Sequence, residues 1–164
     1  MLNDSFLIFL DALSKLIVIL GFPLAYIQYR ISKRKERRDR EYGTYNALDE
    51  KYLEFQNLCL QYPYLDIFDI PDPKPIELTN AQRKEELILF TILFSIFERA
   101  FLLYSDQRST IKEKQWTGWE FYIKAYCGRP NFLSAWRVSG FTFDKDFEEY
   151  MNSVILTQEK LIEH

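Results

Sequence analysis

An apolar stretch from Phe6 to Ile27 runs straight into a tract holding seven Lys/Arg between Arg30 and Arg40, and this junction constrains the chain more than any other feature. The stretch is 22 residues long. At about 1.5 Å per residue it spans roughly 33 Å as a helix, close to the ~30 Å of a bilayer's hydrocarbon core. The end away from the basic tract carries only Asn3 and Asp4 beside the terminal amine. Lys/Arg asymmetry sets the orientation of a span, which places the N-terminus outside and everything after residue 29 in the cytoplasm. The expected organisation is a transmembrane anchor over 1–29, a basic collar over 30–41 and a cytosolic domain over 42–164.

A cleaved signal peptide carries its positive charge before the apolar run and small residues after it. Here the order is reversed, and Tyr26, Gln28 and Tyr29 are poor cleavage-site residues. A buried helix of a soluble protein is the stronger rival, because Asp11, Ser14 and Lys15 interrupt the stretch. Each charge costs on the order of 2.5–3.5 kcal/mol at a membrane centre. Asp11 and Lys15 are four residues apart, however, so they meet on one helix face and can neutralise each other. Intramembrane charges usually face a partner helix or water, so this polar face points to self-association, with a pore as its furthest extension. Tyr26 and Tyr29 suit an interfacial aromatic belt, and Gly21 with Pro23 marks a site for a kink.

Charge divides sharply along the chain. Residues 30–41 hold seven basic and three acidic side chains, net +4, whereas 42–164 hold thirteen and nineteen, net −6. Arg30, Lys33, Arg34, Lys35, Arg37, Arg38 and Arg40 read as a topology signal and as contacts to anionic lipid headgroups. An acidic domain does not offer the clustered Lys/Arg that DNA binding needs, so no direct DNA binding is expected. The two cysteines, Cys59 and Cys127, read as buried thiols in a reducing compartment.

The domain reads all-α, a bundle of about five helices. Tyr45, Leu48, Tyr52, Phe55, Cys59 and Tyr62 recur every three or four residues and predict a helix that continues from the anchor, with Gly43 as its weak point. Pro63 ends it, and Pro71, Pro73 and Pro75 predict a loop in which Asp66, Asp69 and Asp72 are solvated carboxylates. Thr79-Asn80 caps the next helix, which continues apolar on all sides to Tyr104 and so predicts a central core helix. Glu98 and Arg99 then fall near the core and need partners. A third helix is expected over Gln115–Cys127, with Trp116, Trp119, Ile123 and Tyr126 on one face. A short helix over Asn131–Val138 carries Phe132 and Trp136. The last helix starts near Asp144 with Phe147, Tyr150, Met151, Val154 and Leu161 at helical spacing. Core packing accounts for most of these aromatics. The alternative is that some of Tyr122, Tyr126, Trp136 and Arg129 line a pocket that stacks on a nucleobase.

Catalytic chemistry has little to work with. The one histidine is His164, the last residue, which removes most Ser/Cys-His schemes and His-based metal sites. The five glycines, at 21, 43, 118, 128 and 140, form no phosphate-binding loop. No enzyme activity, metal or cofactor is expected.

The segments Phe97–Tyr104, Gln115–Ile123 and Arg129–Trp136, reading FERAFLLY, QWTGWEFYI and RPNFLSAW, resemble those of a family of short bacterial proteins with no assigned activity. The resemblance covers roughly residues 45–152 and implies one N-terminal span of the inner membrane followed by a helical cytosolic domain. In architecture the chain is also similar to small membrane effectors of bacterial antiviral systems, CRISPR-associated ones included. There an N-terminal helix oligomerises and a helical domain receives a nucleotide signal or a protein partner. Some such proteins carry a domain related to HEPN ribonucleases, whose motif places Arg four to six residues before His. No Arg stands at that distance before His164, so ribonuclease activity does not follow. The expectation is an oligomerising sensor or effector that perturbs the membrane in antiviral defence; the alternative is an anchored protein-interaction module without a channel.

Overall fold

A computed structural model describes residues 4–68 and 77–162. The described chain is all-helical, with no strand. Its elements are α1 (Asp4–Gln61), α2 (Asn80–Tyr104), α3 (Thr110–Cys127), α4 (Pro130–Ser139), a 3-10 turn (Gly140–Thr142) and α5 (Lys145–Ile162). The chain separates into two compact units, residues 1–44 and 45–164. Asp69, Asp72, the three prolines between 71 and 75, and His164 lie outside the described residues.

The first unit is the N-terminal part of α1. Helical assignment continues through Pro23 and through Gly43, the expected weak point. Its described apolar side chains stand exposed, among them Ile8 at 70% and Phe22 at 76%.

The second unit is built around α2, as an all-round apolar helix predicts. Leu89, Phe90, Leu93, Phe94, Ile96, Phe97, Ala100 and Tyr104 are buried on it. Its start is a capping box: Thr79 Oγ1 accepts from the Gln82 amide, and Gln82 Oε1 accepts from the Thr79 amide. Aromatic edges and faces carry the packing between helices. The Phe94 ring centroid lies 4.9 Å from Phe132 and 5.1 Å from Trp136, so α2 and α4 lock through three rings. Tyr52 on the C-terminal part of α1 meets Trp119 and Tyr122 of α3, both at 5.5 Å. Such pairs add about 0.5–1.5 kcal/mol each beyond the area they bury.

The expected helical faces are the buried ones where side chains are described; that of Leu161 lies outside the described residues. Leu48, Phe55 and Cys59 of α1 are inside, as are Trp116, Trp119, Ile123 and Tyr126 of α3 and Phe147, Met151 and Val154 of α5. Two starts differ from expectation. α3 begins at Thr110 rather than Gln115, because Ser109 accepts a hydrogen bond from the Lys112 amide and opens the helix early. α4 begins at Pro130, whose fixed φ suits a first helical position.

Candidate functional site

Two groups of polar residues singled out by sequence are placed by local helix spacing, and a third forms around Arg129 only through long-range packing. On the first unit, Lys15 Nζ lies 2.7 Å from Asp11 Oδ2, and Ser14 Oγ donates to the Asp11 carbonyl at 2.8 Å. The spacing of four residues brings the charges together as expected. Their side chains remain 70% and 62% exposed.

The collar presents a second arrangement. Arg30 donates to the Tyr26 hydroxyl at 3.2 Å, with its guanidinium 5.9 Å from that ring's centroid. Lys33 stands 6.0 Å over the Tyr29 ring. Both contacts tie a cation to an aromatic side chain one turn earlier, where apolar helix gives way to basic helix. Lys33 and Arg40 also converge on Glu36, and their hydrogen bonds, that of Lys33 first, hold its carboxyl below the ordinary glutamate range. Arg34, Lys35 and Arg37 are exposed. The side chain of Arg38 lies outside the described residues.

The third group is a polar knot inside the second unit. Arg129, at the N-cap of α4, is 5% exposed, and its guanidinium sits over the Tyr126 ring at 4.9 Å. One nitrogen donates to Asp66 Oδ1 at 2.8 Å and to the Asp66 carbonyl at 2.6 Å, and the other to the Phe68 carbonyl. Tyr126 Oη donates to the Ile67 carbonyl at 3.1 Å. Asn131 Nδ2 bridges the Asp66 carbonyl, at 2.7 Å, and Glu86 Oε1, at 3.1 Å. Three successive carbonyls, 66 to 68, are thus capped by side chains from the α3–α4 corner. This satisfaction lets Leu65 and Ile67 pack at 1% and 0% exposure although their backbone belongs to no helix. Asp66 is therefore an ion-paired anchor of this turn and not the solvated carboxylate that the loop composition suggested.

Among the described residues, the side chains named for a nucleobase pocket pack against protein. Tyr126 and Trp136 are 1% and 4% exposed and their rings face protein. Trp136 donates from Nε1 to Asn152 Oδ1 at 3.0 Å and stacks on Phe143. Tyr122 is half-buried against Tyr52 and Trp119. Of the Glu98–Arg99 pair, Glu98 is half-buried, and its Oε1 accepts from the Asp144 amide at 2.6 Å, while Asp144 caps α5 by accepting from Asp146 and Phe147. Arg99 is on the exposed face, because one further residue turns it about 100° away from Glu98. The pair is split between a cap and solvent and does not share a core site.

Glu86 gives the knot a pH dependence. Burial, with Asp66 nearby, raises its carboxyl above the ordinary glutamate value despite the Asn131 hydrogen bond. A carboxyl that binds its proton more tightly in the fold adds stability at low pH, and that stability is lost as pH rises through the window just above the ordinary value. Glu86→Gln should therefore flatten the fall in stability across that window, with urea titrations at several pH values as the readout. A parallel decline in both proteins would remove Glu86 as the source.

Set against protein families, curated proteins and solved structures, the chain matches none of them.

Proposed function

We propose that the chain is a single-pass protein of the bacterial inner membrane, N-terminus out, whose acidic helical domain works in the cytoplasm as an oligomerising sensor or effector. The observation that carries this reading is a contrast between two apolar helices. Both α2 and the N-terminal part of α1 are long and apolar enough to cross a bilayer. In α2, 44% of the apolar window is buried in protein, and in α1 none is. An apolar helix that buries none of its apolar window in protein calls for an apolar medium outside the chain. The collar supports the same reading. Cations paired with Tyr26 and Tyr29 suit a headgroup layer, where the rings sit at the interface and the charges meet lipid phosphates.

The effector role rests on the resemblance in architecture and on Asp11, Ser14 and Lys15, which favour contact with other copies over contact with lipid. A cytosolic protein or a nucleotide signal would act on the domain, and the anchor assembly would perturb the membrane in antiviral defence. Asp11→Ala combined with Lys15→Ala tests this. Removing both charges lowers the cost of insertion, so membrane association persists, while toxicity or conductance on induction should fall. Unchanged toxicity and conductance would remove the membrane-perturbing role.

A second reading is favoured by Phe121 at 71% and Phe141 at 73% exposure on the second unit. Such rings suit a protein partner, and the chain would then be an anchored interaction module without a channel. Native mass measurement of the detergent-extracted complex separates the two. A ring of four or more copies supports the effector, and a monomer or dimer supports the module.

A further inference from the structure

The turn after α1 is gripped in the way a bound peptide is gripped. Its described backbone–backbone hydrogen bonds run from the Tyr62 amide to the Cys59 carbonyl and from the Leu65 amide to the Tyr62 carbonyl. Beyond Leu65 the hold comes from side chains of one corner. Tyr126, Arg129 and Asn131 donate to the carbonyls of 66, 67 and 68 from 59 to 65 positions away in sequence. Leu65 and Ile67, on either side of Asp66, are buried. Main-chain groups, one carboxylate and two flanking apolar side chains are the features by which proteins read peptide segments.

This segment does not satisfy the corner completely. Arg129 is 5% exposed, yet its Nε has no hydrogen-bond acceptor among the described residues. Its described contact with the Asp66 carboxylate joins one pair of atoms, Nη2 and Oδ1. A guanidinium holds a carboxylate more firmly through two parallel N–H donors, and a buried donor left unmet costs free energy. A carboxylate that bridges Nε and Nη2 therefore fits this corner better than Asp66 does. The corner is also within reach of solvent, since the Asp66 side chain keeps 23% of its surface exposed.

We propose that the α3–α4 corner is a binding site for a segment of another protein carrying Asp or Glu between two bulky apolar residues. Residues 65–68 are then an internal ligand that keeps the site shut, and they display the chemistry that it accepts. The partner displaces them by laying its carboxylate across Nε and Nη2 of Arg129. This names the surface on which a cytosolic protein acts in the reading above and rests on that reading for the partner, whereas its test needs no membrane role and no ring of copies.

The probe is a fluorescently labelled peptide of residues 62–68, YPYLDIF, added to the full-length chain in detergent. In the parent chain the internal segment competes at an effective concentration on the order of a millimolar, so the peptide binds weakly. Asp66→Ala in the chain removes the internal carboxylate and should tighten peptide binding roughly tenfold or more. The peptide should also raise the melting temperature of that variant. A peptide carrying Asp66→Ala should lose both effects, and the Arg129→Met chain should bind neither peptide. No tightening in a folded Asp66→Ala chain, or equal binding of the two peptides, overturns the site. A rise in mass of that variant over the parent, in place of peptide binding, overturns the foreign partner and assigns the corner to a second copy. Should Asp66→Ala not fold, hydrogen exchange in the parent decides. The 66–68 amides should exchange faster than those in the middle of α2, by a path that urea does not accelerate. Exchange of both only through global unfolding overturns the proposal. Peptide binding by a chain that carbonate wash releases from membranes supports the site while overturning the membrane reading.

Discussion

Replacing Arg129 with methionine should cost the second unit about 3–5 kcal/mol, the penalty typical of removing one partner from a buried ion pair. Methionine keeps most of the length and apolar volume but leaves the Asp66 carboxylate and the Phe68 carbonyl without the guanidinium that they share. The 66–68 turn must then take up water or come away from Tyr126, and Leu65 and Ile67 would leave the core with it. Thermal unfolding of the full chain in detergent should fall on the order of 10–20 °C for a unit of this size. Arg137→Met is the matched control. Its contact with Glu159 is 3.9 Å long and largely exposed, so its loss should leave the melting curve nearly where it was. If the two variants melt alike, the Arg129 knot does not hold the turn.

Gly140→Ala carries the second large effect, about 1–3 kcal/mol from overpacking. The added Cβ would lie 2.7 Å from Cε2 and 2.9 Å from Cδ2 of Trp136. Backbone conformation is not the cause, since Gly140 has φ −56° and ψ −35°. The indole cannot easily yield, because Asn152 holds its Nε1 and Phe94, Phe143 and Phe147 pack around it. Gly118→Ala makes the comparison sharp. Nothing lies within 4 Å of that Cβ at an exposed position of α3, so alanine there should raise stability by roughly 0.5–1 kcal/mol through helix propensity. Urea midpoints that move in opposite directions would establish that packing, not glycine content, decides the sign. Equal shifts would refute the close Gly140–Trp136 fit.

The helices were legible wherever their cause is local. The three- and four-residue recurrence from Leu48 to Cys59, the Thr79 cap and the apolar run from Leu87 to Phe97 each predict what the fold contains. The α3 start has a local signal too, in Ser109 ahead of Thr110, although the aromatic face of that helix begins only at Trp116. Long-range pairing was not legible. Arg129 and Asp66 stand 63 residues apart, and Glu98 caps a helix start 46 residues away at Asp144. Neither partner is distinguishable from a surface charge until helix packing brings them together. The fit of Gly140 to Trp136 depends in the same way on which face of α4 turns inward.

Burial of both cysteines offers a way to watch this domain open within the full-length chain. Cys59 and Cys127 are 0% and 1% exposed, and burial pushes the Cys127 thiol up to about 12, so neither meets an alkylating reagent in the closed state. Each becomes labelled only when its own helix detaches. Equal labelling rates would mean that the bundle opens as one cooperative body. Faster labelling of Cys59 would instead mark the end of α1 as the piece that peels away first, giving a clock for local opening that needs no purified domain and no engineered cysteine.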